Sequence, residues 1–168
     1  MRYIEKFIQG NYSKGKIFNP EGIVLHHNYL TEEDAIKMCV EYAPKTHDGQ
    51  QLPPASYHVL ILKDGMRYTF AKDDQRAWHA GESEFKGRLY CNNYMLGACF
   101  HCNTNAEPLT TEQVDSFIEW ATPRIVKFNI KKDWITDHRS VCVPKGRKND
   151  LNPVEFVRIQ KALKYIFL

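Results

Sequence analysis

Hydrophobic residues fall into short uninterrupted runs, which alternate with longer stretches where apolar positions recur every three or four residues. Short apolar runs are typical of buried strands, and the three-to-four spacing is typical of helices with one buried face. The predicted strands are 22–27, 57–62, 66–70, 95–101 and, more weakly, 133–137. In "LKDGMRY", Asp64-Gly65 stands between two of these runs, and this dipeptide predicts a hairpin.

Three segments carry helix signals. The first covers about 31–42, up to Tyr42, and opens with Thr31 and Asp34, which resemble a capping box. The second begins at Thr110, with Gln113 three residues further on. Apolar positions then keep helical spacing on both sides of a proline, where we expect a bend. These positions are Val114, Phe117, Ile118, Ala121, Ile125 and Phe128, with Pro123 between them.

The third predicted helix has Asn152 as its N-cap, Pro153 at its first position and Glu155 in its first turn. It runs to the C-terminus, with three residues on its inner side: Val157, Leu163 and Ile166. Strands interleaved with helices indicate an α/β or α+β fold, with a central mixed sheet flanked by about three helices. Without a repeat or a linker-like shift in composition, the 168 residues predict a single domain, 1–168.

Composition places few limits on function. Apolar residues make up 43% of the chain and charged residues 26%, which is ordinary for a globular protein. The net charge of +3 favours an anionic partner, such as a cell-wall polymer or nucleic acid, but is too small to identify one. The N-terminal "MRYIEKFIQGNYSKGK" has no apolar signal core, and no segment approaches 18 apolar residues. We therefore expect synthesis in the cytoplasm, without a signal peptide, and no membrane insertion.

The five cysteines do not form a disulfide pattern, because their number is odd and their spacing irregular. Free thiols suit a reducing compartment. Cys99 and Cys102 form a C-x-x-C within a predicted strand. Residues of opposite parity on a strand point to opposite faces, which argues against a shared metal at this pair.

Candidate chemistry is concentrated in two segments, "GIVLHHNYL" and "ITDHRSVCVPKGRKNDLNP". A catalytic zinc site takes three protein ligands of imidazole, thiolate or carboxylate type and leaves one position open. His26, His138 and Asp150 would supply two neutral nitrogens and one anionic oxygen from strand ends and a loop. Taken alone, Asp150 is more typical of a helix-capping or loop carboxylate than of a metal ligand, and the basic residues Lys145, Arg147 and Lys148 before it are typical of a solvated loop.

Several ordered motifs resemble the zinc-dependent N-acetylmuramoyl-L-alanine amidases of type 2. That family includes phage T7-type lysozymes, cytosolic anhydro-muropeptide amidases and animal peptidoglycan recognition proteins. The resemblance covers roughly residues 20–157. Its motifs are "IVLHH", "SYHVLILKDG", "AWHAGES", "NNYMLGACF" and "DHRSVCVPKGRKND". It implies a peptidoglycan recognition protein/amidase-like fold and a peptidoglycan substrate.

The resemblance also implies a role for individual residues. It places Zn²⁺ on His26, His138 and Asp150. It makes Tyr57 the residue that orients the attacking water or assists proton transfer, and Lys148 the one that stabilises the oxyanion of the tetrahedral intermediate. Three residues are expected to line the substrate groove: Trp78, His79 and Asn93. His27, as the strand neighbour of His26, should point to the opposite face of the sheet.

Three positions depart from the family pattern. Asp150 follows His138 by twelve residues, which is longer than usual. Because some relatives use cysteine as third ligand, Cys142 is an alternative, although Ser140 stands where the catalytic lysine should precede it. Cys99 occupies the position at which the cytosolic recycling enzymes carry a glutamate. Met95 replaces a frequent serine.

The predicted function is therefore zinc-dependent hydrolysis of the amide between N-acetylmuramic acid and L-alanine, by a monomeric phage endolysin or similar lytic enzyme acting on the bacterial cell wall. Two alternatives remain open: a non-catalytic peptidoglycan-binding module and a cytosolic muropeptide-recycling amidase. A nucleic-acid or polymerase partner is a further hypothesis, for which the charge of +3 is poor support.

Overall fold

A computed structural model describes residues 2–10, 12–13, 18–41, 49 and 55–167. Within them, the strands are β1 (Glu5–Phe7), β2 (Tyr12–Ser13), β3 (Gly22–Asn28), β4 (Val59–Ile61), β5 (Arg67–Thr69), β6 (Arg76–Ala77), β7 (Glu84–Phe85), β8 (Arg88–Leu89), β9 (Met95–His101) and β10 (Ile135–Asp137). The helices are α1 (Glu32–Val40), α2 (Thr111–Phe128), α3 (His138–Val141) and α4 (Pro153–Ala162). Short 3₁₀ turns cover Cys91–Asn93, Lys132–Trp134 and Leu163–Ile166.

Six strands form one mixed sheet in the order β1-β5-β4-β9-β3-β10. The pairs β1–β5, β4–β9, β9–β3 and β3–β10 are parallel, whereas β4 and β5 form an antiparallel hairpin. This hairpin turns at Asp64-Gly65, as predicted: the Asp64 carboxylate accepts the Met66 amide, and Gly65 takes a positive φ of 85°. The mixed α+β class is confirmed.

Alternating residues of the central strands build two cores. Ile23 and Leu25 of β3 join the apolar residues of α2 and α4 on one face of the sheet. On the other face, Leu60 of β4 and Cys99 of β9 pack with Ala35 of α1. A third cluster continues this second face toward α3. The central strands are therefore covered on both sides, which explains their nearly uninterrupted apolar runs.

Two predicted helix starts are confirmed by their caps. The Thr31 hydroxyl accepts the Asp34 amide at the start of α1, and Thr110 and Gln113 form a reciprocal capping box at the start of α2. Helix α1 ends at Val40, and the predicted end at Tyr42 lies outside the described residues. Helix α2 continues through Pro123.

The third predicted helix begins as expected, with Asn152 as N-cap and Pro153 at the first position, but its inner side differs. Val157 is 49% exposed, so its prediction as an inner residue was wrong, whereas Ile159 and Leu163 are fully buried. The reason is the helical period, which sets Val157 about 200° around the axis from Ile159. The regular helix also stops at Ala162, where a 3₁₀ turn takes over.

Several elements have no counterpart among the predictions. The short strands β1, β2, β6, β7 and β8 contain two or three residues each, too few to show a period. A fourth helix, α3, forms a single turn immediately after β10, where only a strand end was expected. The predicted strands at 57–62 and 66–70 are shorter than expected, so that Tyr57 precedes β4. In the described part of the chain, no helix is both long and apolar enough to cross a membrane.

Candidate metal centre

Two parallel neighbours in the sheet bring the first two candidate ligands together. Strands β3 and β10 pair in register, with Leu25 opposite Asp137. His26 is the next residue of β3 and His138 is the first residue after β10, so the two lie side by side toward the carboxyl ends of these strands. Their ring centroids lie 4.5 Å apart, and both residues are buried. The topology thus joins two imidazoles that are 112 positions apart in the sequence (138 − 26).

A helix cap determines how His138 leaves the strand. The Asp137 carboxylate accepts the Ser140 amide and so caps the single turn of α3, of which His138 is the first residue. Arg139 makes an ion pair of 3.0 Å with the same carboxylate. This D-x-x-S capping signal was missed in the sequence, and it explains why a helix replaces the expected loop.

Asp150 joins the two histidines from the far side of the basic loop. Its backbone carbonyl accepts the Arg139 amide at 2.5 Å, and the following residue, Leu151, is fully buried in the core. Its carboxylate oxygen Oδ2 lies 3.4 Å from His26 Nδ1 and 3.2 Å from His138 Nδ1. One ligand atom from each of the three residues lies within 4.8 Å of the others. The structure therefore brings together the three residues that the sequence nominated.

Hydrogen bonds determine which nitrogen of His26 is free. The Met95 carbonyl can only accept, so His79 must donate to it from Nε2, over 2.9 Å. A neutral His79 then has a bare Nδ1, which accepts from His26 Nε2 over 3.0 Å. The proton of a neutral His26 is thereby held on Nε2, and the lone pair of its Nδ1 is directed at Asp150.

His138 follows the same rule. Its Nε2 lies 3.2 Å from the Ala80 carbonyl, which requires a proton on that nitrogen and leaves Nδ1 bare. Two imidazole lone pairs and one carboxylate oxygen thus converge, and no hydrogen-bond donor lies between them when both rings are neutral. Three acceptors at these distances repel one another unless they share a cation. Two imidazoles and a carboxylate, each imidazole held by a bond from its other nitrogen, suit a divalent transition metal.

The pKa values agree with this arrangement. Burial lowers the pKa of His26 to about 4, helped by His138 and Lys148 and opposed by Asp150. His26 is therefore neutral at physiological pH, as a metal ligand must be. Burial alone would raise the pKa of Asp150, but hydrogen bonds that protonated Nδ1 atoms of His138 and His26 would donate, together with their positive charge, outweigh it and hold the pKa well below the usual range. A metal ion at the same three atoms would act on the carboxylate in the same direction. Asp150, the third candidate ligand, is therefore ionised at physiological pH.

His79 lies in a different place from the one expected of a groove residue. It is buried, with both ring nitrogens bonded to protein atoms. Its ring packs against β9 at Gly97, where an added Cβ would come within 2.4 Å of it. The Asn92 side chain accepts the amides of His79 and Ala80, at 3.0 and 2.8 Å. Asn92 thus positions the segment whose residues contact His26 and His138, a role for which the sequence showed no signal.

Tyr57 lies beside the cluster, with its ring centroid 5.3 Å from that of His26. It interacts with the thiol of Cys99, the β9 residue opposite His26 in register. Burial raises the pKa of Tyr57 well above its usual value, with a contribution from the Cys99 and Cys39 thiols. Burial likewise raises the pKa of Cys99. Both groups therefore stay protonated, so Tyr57 can donate a hydrogen bond but is a poor base.

Two basic residues of the loop, Lys148 and Arg147, have different surroundings. Lys148 is exposed and close enough to the cluster for its charge to lower the pKa of His26. Arg147 instead donates to the Glu82 and Val143 carbonyls, which fastens this loop to the segment that follows Ala80. The alternative ligand Cys142 is buried, and its thiol lies 3.4 Å from the Arg139 carbonyl, outside the three-residue cluster.

The other two expected groove residues, Trp78 and Asn93, share one neighbour. The Arg76 guanidinium lies over the Trp78 ring, 4.0 Å from its centroid, and donates to the Asn93 side chain. Trp78 is half-buried and Asn93 is exposed, so each presents part of its surface to solvent. Neither is bonded to the three-residue cluster. Arg76 was not among the predicted site residues.

Known proteins resemble this chain in sequence. Residues 17–153 match the family described as N-acetylmuramoyl-L-alanine amidase. The 1,6-anhydro-N-acetylmuramyl-L-alanine amidase AmpD of Haemophilus influenzae is 34% identical over 112 residues, which are 66% of this chain and 58% of that protein. The chain spans about half the length of the curated relatives it matches.

Solved structures share the fold. A crystal structure of a selenomethionine derivative of AmpD superposes with a TM-score of 0.75 at 21% identity, and covers 96% of this chain and 95% of that one. The endolysin N-acetylmuramoyl-L-alanine amidase LysCS from Clostridium intestinale URNW gives a TM-score of 0.63 at 22% identity, and covers 96% and 97%. At these identities the two structures establish the architecture alone.

Proposed function

Because this chain belongs to the N-acetylmuramoyl-L-alanine amidase family, we propose that it hydrolyses the amide between the lactyl group of N-acetylmuramic acid and the L-alanine of the stem peptide. We further propose that zinc is its cofactor and that His26, His138 and Asp150 hold the metal. The observation that carries the proposal is the convergence of two bare Nδ1 atoms on the Asp150 carboxylate. A set of three acceptors needs a cation, and this set suits zinc.

Zinc bound at these residues would supply Lewis acidity, which polarises the scissile carbonyl and activates a water molecule. The chain's own groups account for the rest of the proposed chemistry. His79 and the Ala80 carbonyl hold the protons of the two histidines on Nε2, so that both Nδ1 atoms stay available. Asp150 contributes a negative charge and leaves the site with a net positive charge when the metal is present.

Two further residues act on the reacting atoms in this proposal. Tyr57, protonated because burial raises its pKa, donates a hydrogen bond that orients the attacking water. Lys148 is exposed and close enough to the cluster for its charge to lower the pKa of His26, and its ammonium stabilises the developing oxyanion in this proposal. Cys99 cannot act as the general base that a carboxylate would provide there, because its pKa is raised by burial.

The substrate groove is proposed to follow Trp78 and Asn93, with Arg76 stacked between them. The half-buried Trp78 offers an apolar surface to a sugar or peptide, and Asn93 offers hydrogen-bonding groups. His79 is left out of this surface, because both of its nitrogens are bonded within the protein.

The biological setting divides into two proposals. A lytic endolysin would cleave intact peptidoglycan, and the Clostridium intestinale endolysin shares the fold. A recycling enzyme would prefer 1,6-anhydro-muropeptides, the substrates named in the descriptions of the matched relatives. We keep the lytic enzyme as the main proposal and the recycling amidase as the second.

One experiment tests bond, metal and substrate together. Muropeptides of defined structure, with either a reducing N-acetylmuramic acid or its 1,6-anhydro form, are incubated with the protein, and the products are identified by mass spectrometry. We expect free stem peptide with L-alanine at its N-terminus, loss of the reaction with a chelator, and recovery when zinc is added. The preferred sugar form distinguishes the two settings.

A non-catalytic peptidoglycan-binding module is the competing proposal. It predicts that the protein sediments with purified cell wall and releases no L-alanine N-termini, with or without zinc. The same wall preparation, treated with the His26→Ala variant, provides the matched control. Retention of both proteins on the wall without product would replace the amidase proposal by the binding module.

A further inference from the structure

His27, the second histidine of the pair, faces away from the three-residue cluster. Its register partner on β9 is Phe100, which packs against Phe117 of α2 on the opposite face of the sheet. There its Nδ1 lies 2.7 Å from the Thr104 hydroxyl and accepts the Thr104 amide at 3.2 Å. The predicted division of the two histidines between opposite faces is confirmed.

The direction of these bonds can be worked out. An Nδ1 that accepts a backbone amide carries no proton, so the Thr104 hydroxyl donates to it. The hydroxyl oxygen is then free to accept, and it accepts the Asn152 amide at 3.0 Å. A continuous path of hydrogen bonds therefore runs from His27 through Thr104 to the backbone two residues after Asp150.

Asn105, the residue after Thr104, contacts the chain before and after Asp150. The Asn105 side-chain amide donates to the Asn149 carbonyl, and its oxygen accepts from the Asn152 side chain, both at 3.4 Å. Contacts from 104–105 thus reach the chain immediately before and after the third candidate ligand. The His27 backbone amide completes the contact, because it donates to Asp150 Oδ2 at 3.4 Å.

Asp150 needs more support from its surroundings than the two histidines do. His26 and His138 stand on or beside rigid strands, but Asp150 ends a loop of exposed residues, 144–149. A carboxylate ligand must be held close to its productive position for tight metal binding. We propose that His27, Thr104 and Asn105 form a clasp that sets the position of Asp150, so that they are positioning residues for the third ligand. This inference rests on the metal-dependent function proposed above.

A purely structural explanation is that Thr104 only supports the start of α4. The Asn152 side chain already caps that helix by accepting the Val154 amide, independently of Thr104. Loss of the Thr104 hydroxyl therefore leaves the cap in place and releases the segment that carries Asp150. The clasp and the cap consequently predict different results for metal binding.

The test measures zinc affinity by competition with a chromophoric chelator, the visible spectrum of the Co²⁺-substituted protein, and the thermal unfolding of metal-free protein. Thr104→Val removes the hydroxyl without changing the side-chain size, and Thr104→Ser restores it. Thr122→Val is the matched control, because it removes a hydroxyl that bonds only the Ile118 carbonyl within α2. Should Thr104→Val not fold, Asn105→Ala, at an exposed position, tests the same clasp.

We expect Thr104→Val to weaken zinc binding by about tenfold and to alter the Co²⁺ spectrum, in the range usual for residues that support a metal ligand. Thr104→Ser should restore both, and Thr122→Val should change neither. Zinc affinity within about twofold of wild type in Thr104→Val, or in Asn105→Ala where that variant stands in, would overturn the clasp. Asp150→Asn, measured in parallel, separates the two proposals: if it binds zinc as tightly as wild type, the metal site itself is wrong.

Discussion

Arg67 and Asp150 are both buried charged residues, but their surroundings satisfy them in opposite ways. Arg67, 1% exposed, points to the α2 face of the sheet, where its nitrogens donate to Glu5, to Glu119 and to both oxygens of Ser116. Two carboxylates surround one guanidinium, so donors meet acceptors throughout. The Arg67 cluster is complete with protein groups alone.

At the Asp150 cluster, acceptors meet acceptors. The carboxylate of Asp150 faces the Nδ1 atoms of His26 and His138, while the Nε2 atoms of both rings are committed to His79 and the Ala80 carbonyl. Only a proton or a metal ion shared by the three atoms removes their repulsion. The two kinds of buried charged cluster therefore differ in how their polar atoms are paired. In a structural cluster the donors and acceptors of the protein satisfy one another, whereas in a binding cluster the acceptors surround a cation that the chain does not supply.

The largest effect is expected where the Asp150 cluster is broken. Asp150→Asn keeps the shape of the side chain but removes its charge and introduces a donor. Zinc affinity should fall by more than about 100-fold, beyond the range for supporting residues, and muropeptide hydrolysis should be lost. The metal-free protein should be at least as stable as wild type, because the new amide can donate to His26 or His138. A titration with zinc measures the affinity, and a thermal unfolding curve measures the stability of the metal-free protein. A marked loss of metal-free stability would contradict the conclusion that the three acceptors repel one another without a cation.

The opposite result is expected at the Arg67 cluster. Arg67→Met leaves Glu5 and Glu119 without their cation and should lower the free energy of unfolding by about 3 kcal/mol. We take the low end of the usual range because both carboxylates are about a quarter exposed. Urea unfolding measures the loss. Zinc affinity should stay unchanged, and Arg2→Met, at an exposed ion pair, should cost less than about 1 kcal/mol.

A third prediction distinguishes a residue that acts in catalysis from the residues that bind the metal. Lys148→Ala should lower kcat by about 10²–10³, as for the loss of an oxyanion donor, while zinc affinity stays near that of wild type. Lys145→Ala is the matched control from the same loop, because its ammonium is bonded to the Ser140 carbonyl. Equal losses of kcat in the two variants would show that the loop acts through its overall charge.

The remaining prediction concerns a buried histidine outside both clusters, and its effect is a dependence of stability on pH. Burial lowers the pKa of His58 to about 3, and its Nδ1 accepts the Gly97 amide. Between about pH 6.5 and pH 3 the unfolded imidazole binds a proton that the folded one does not, so stability falls as the pH falls. One such group contributes about 1.4 kcal/mol per pH unit.

His58→Gln should remove that slope. Urea unfolding of the metal-free proteins between pH 4 and pH 7 measures the free energy of unfolding. Below about pH 6.5, the difference in this free energy between wild type and variant should change by about 1.4 kcal/mol per pH unit, the slope expected for one proton. His26 also has a lowered pKa, which is present in both proteins and cancels in the difference. The pKa of His79 is lowered partly by His58, so the contribution of His79 cancels only in part. An unchanged slope would mean that His58 is protonated in the folded state.

Local patterns in the sequence determined most of the framework. The apolar runs of β3 and β9, the caps at Thr31, Thr110 and Asn152, and the Asp64-Gly65 turn depend on residues within a few positions of one another. The order of the motifs also nominated the three residues that now lie together. The apolar runs, the caps and the turn are encoded in a period or a spacing, which a single chain displays without folding, whereas the choice of the three residues rests on the resemblance to a known family.

Only the tertiary structure decided how the cluster is supported. His79 and His26 are 53 positions apart, and Thr104 and His27 are 77 apart, so neither bond leaves a local signal. The strands of two or three residues escaped prediction because they are too short to show a period. Two features depend on which polar atoms come into contact after the sheet has formed: the nitrogen that each histidine directs at Asp150, and the hydrogen bonds that position Asp150. Hydrogen bonds between distant residues are consequences of packing, and the sequence contains their partners without indicating the pairs.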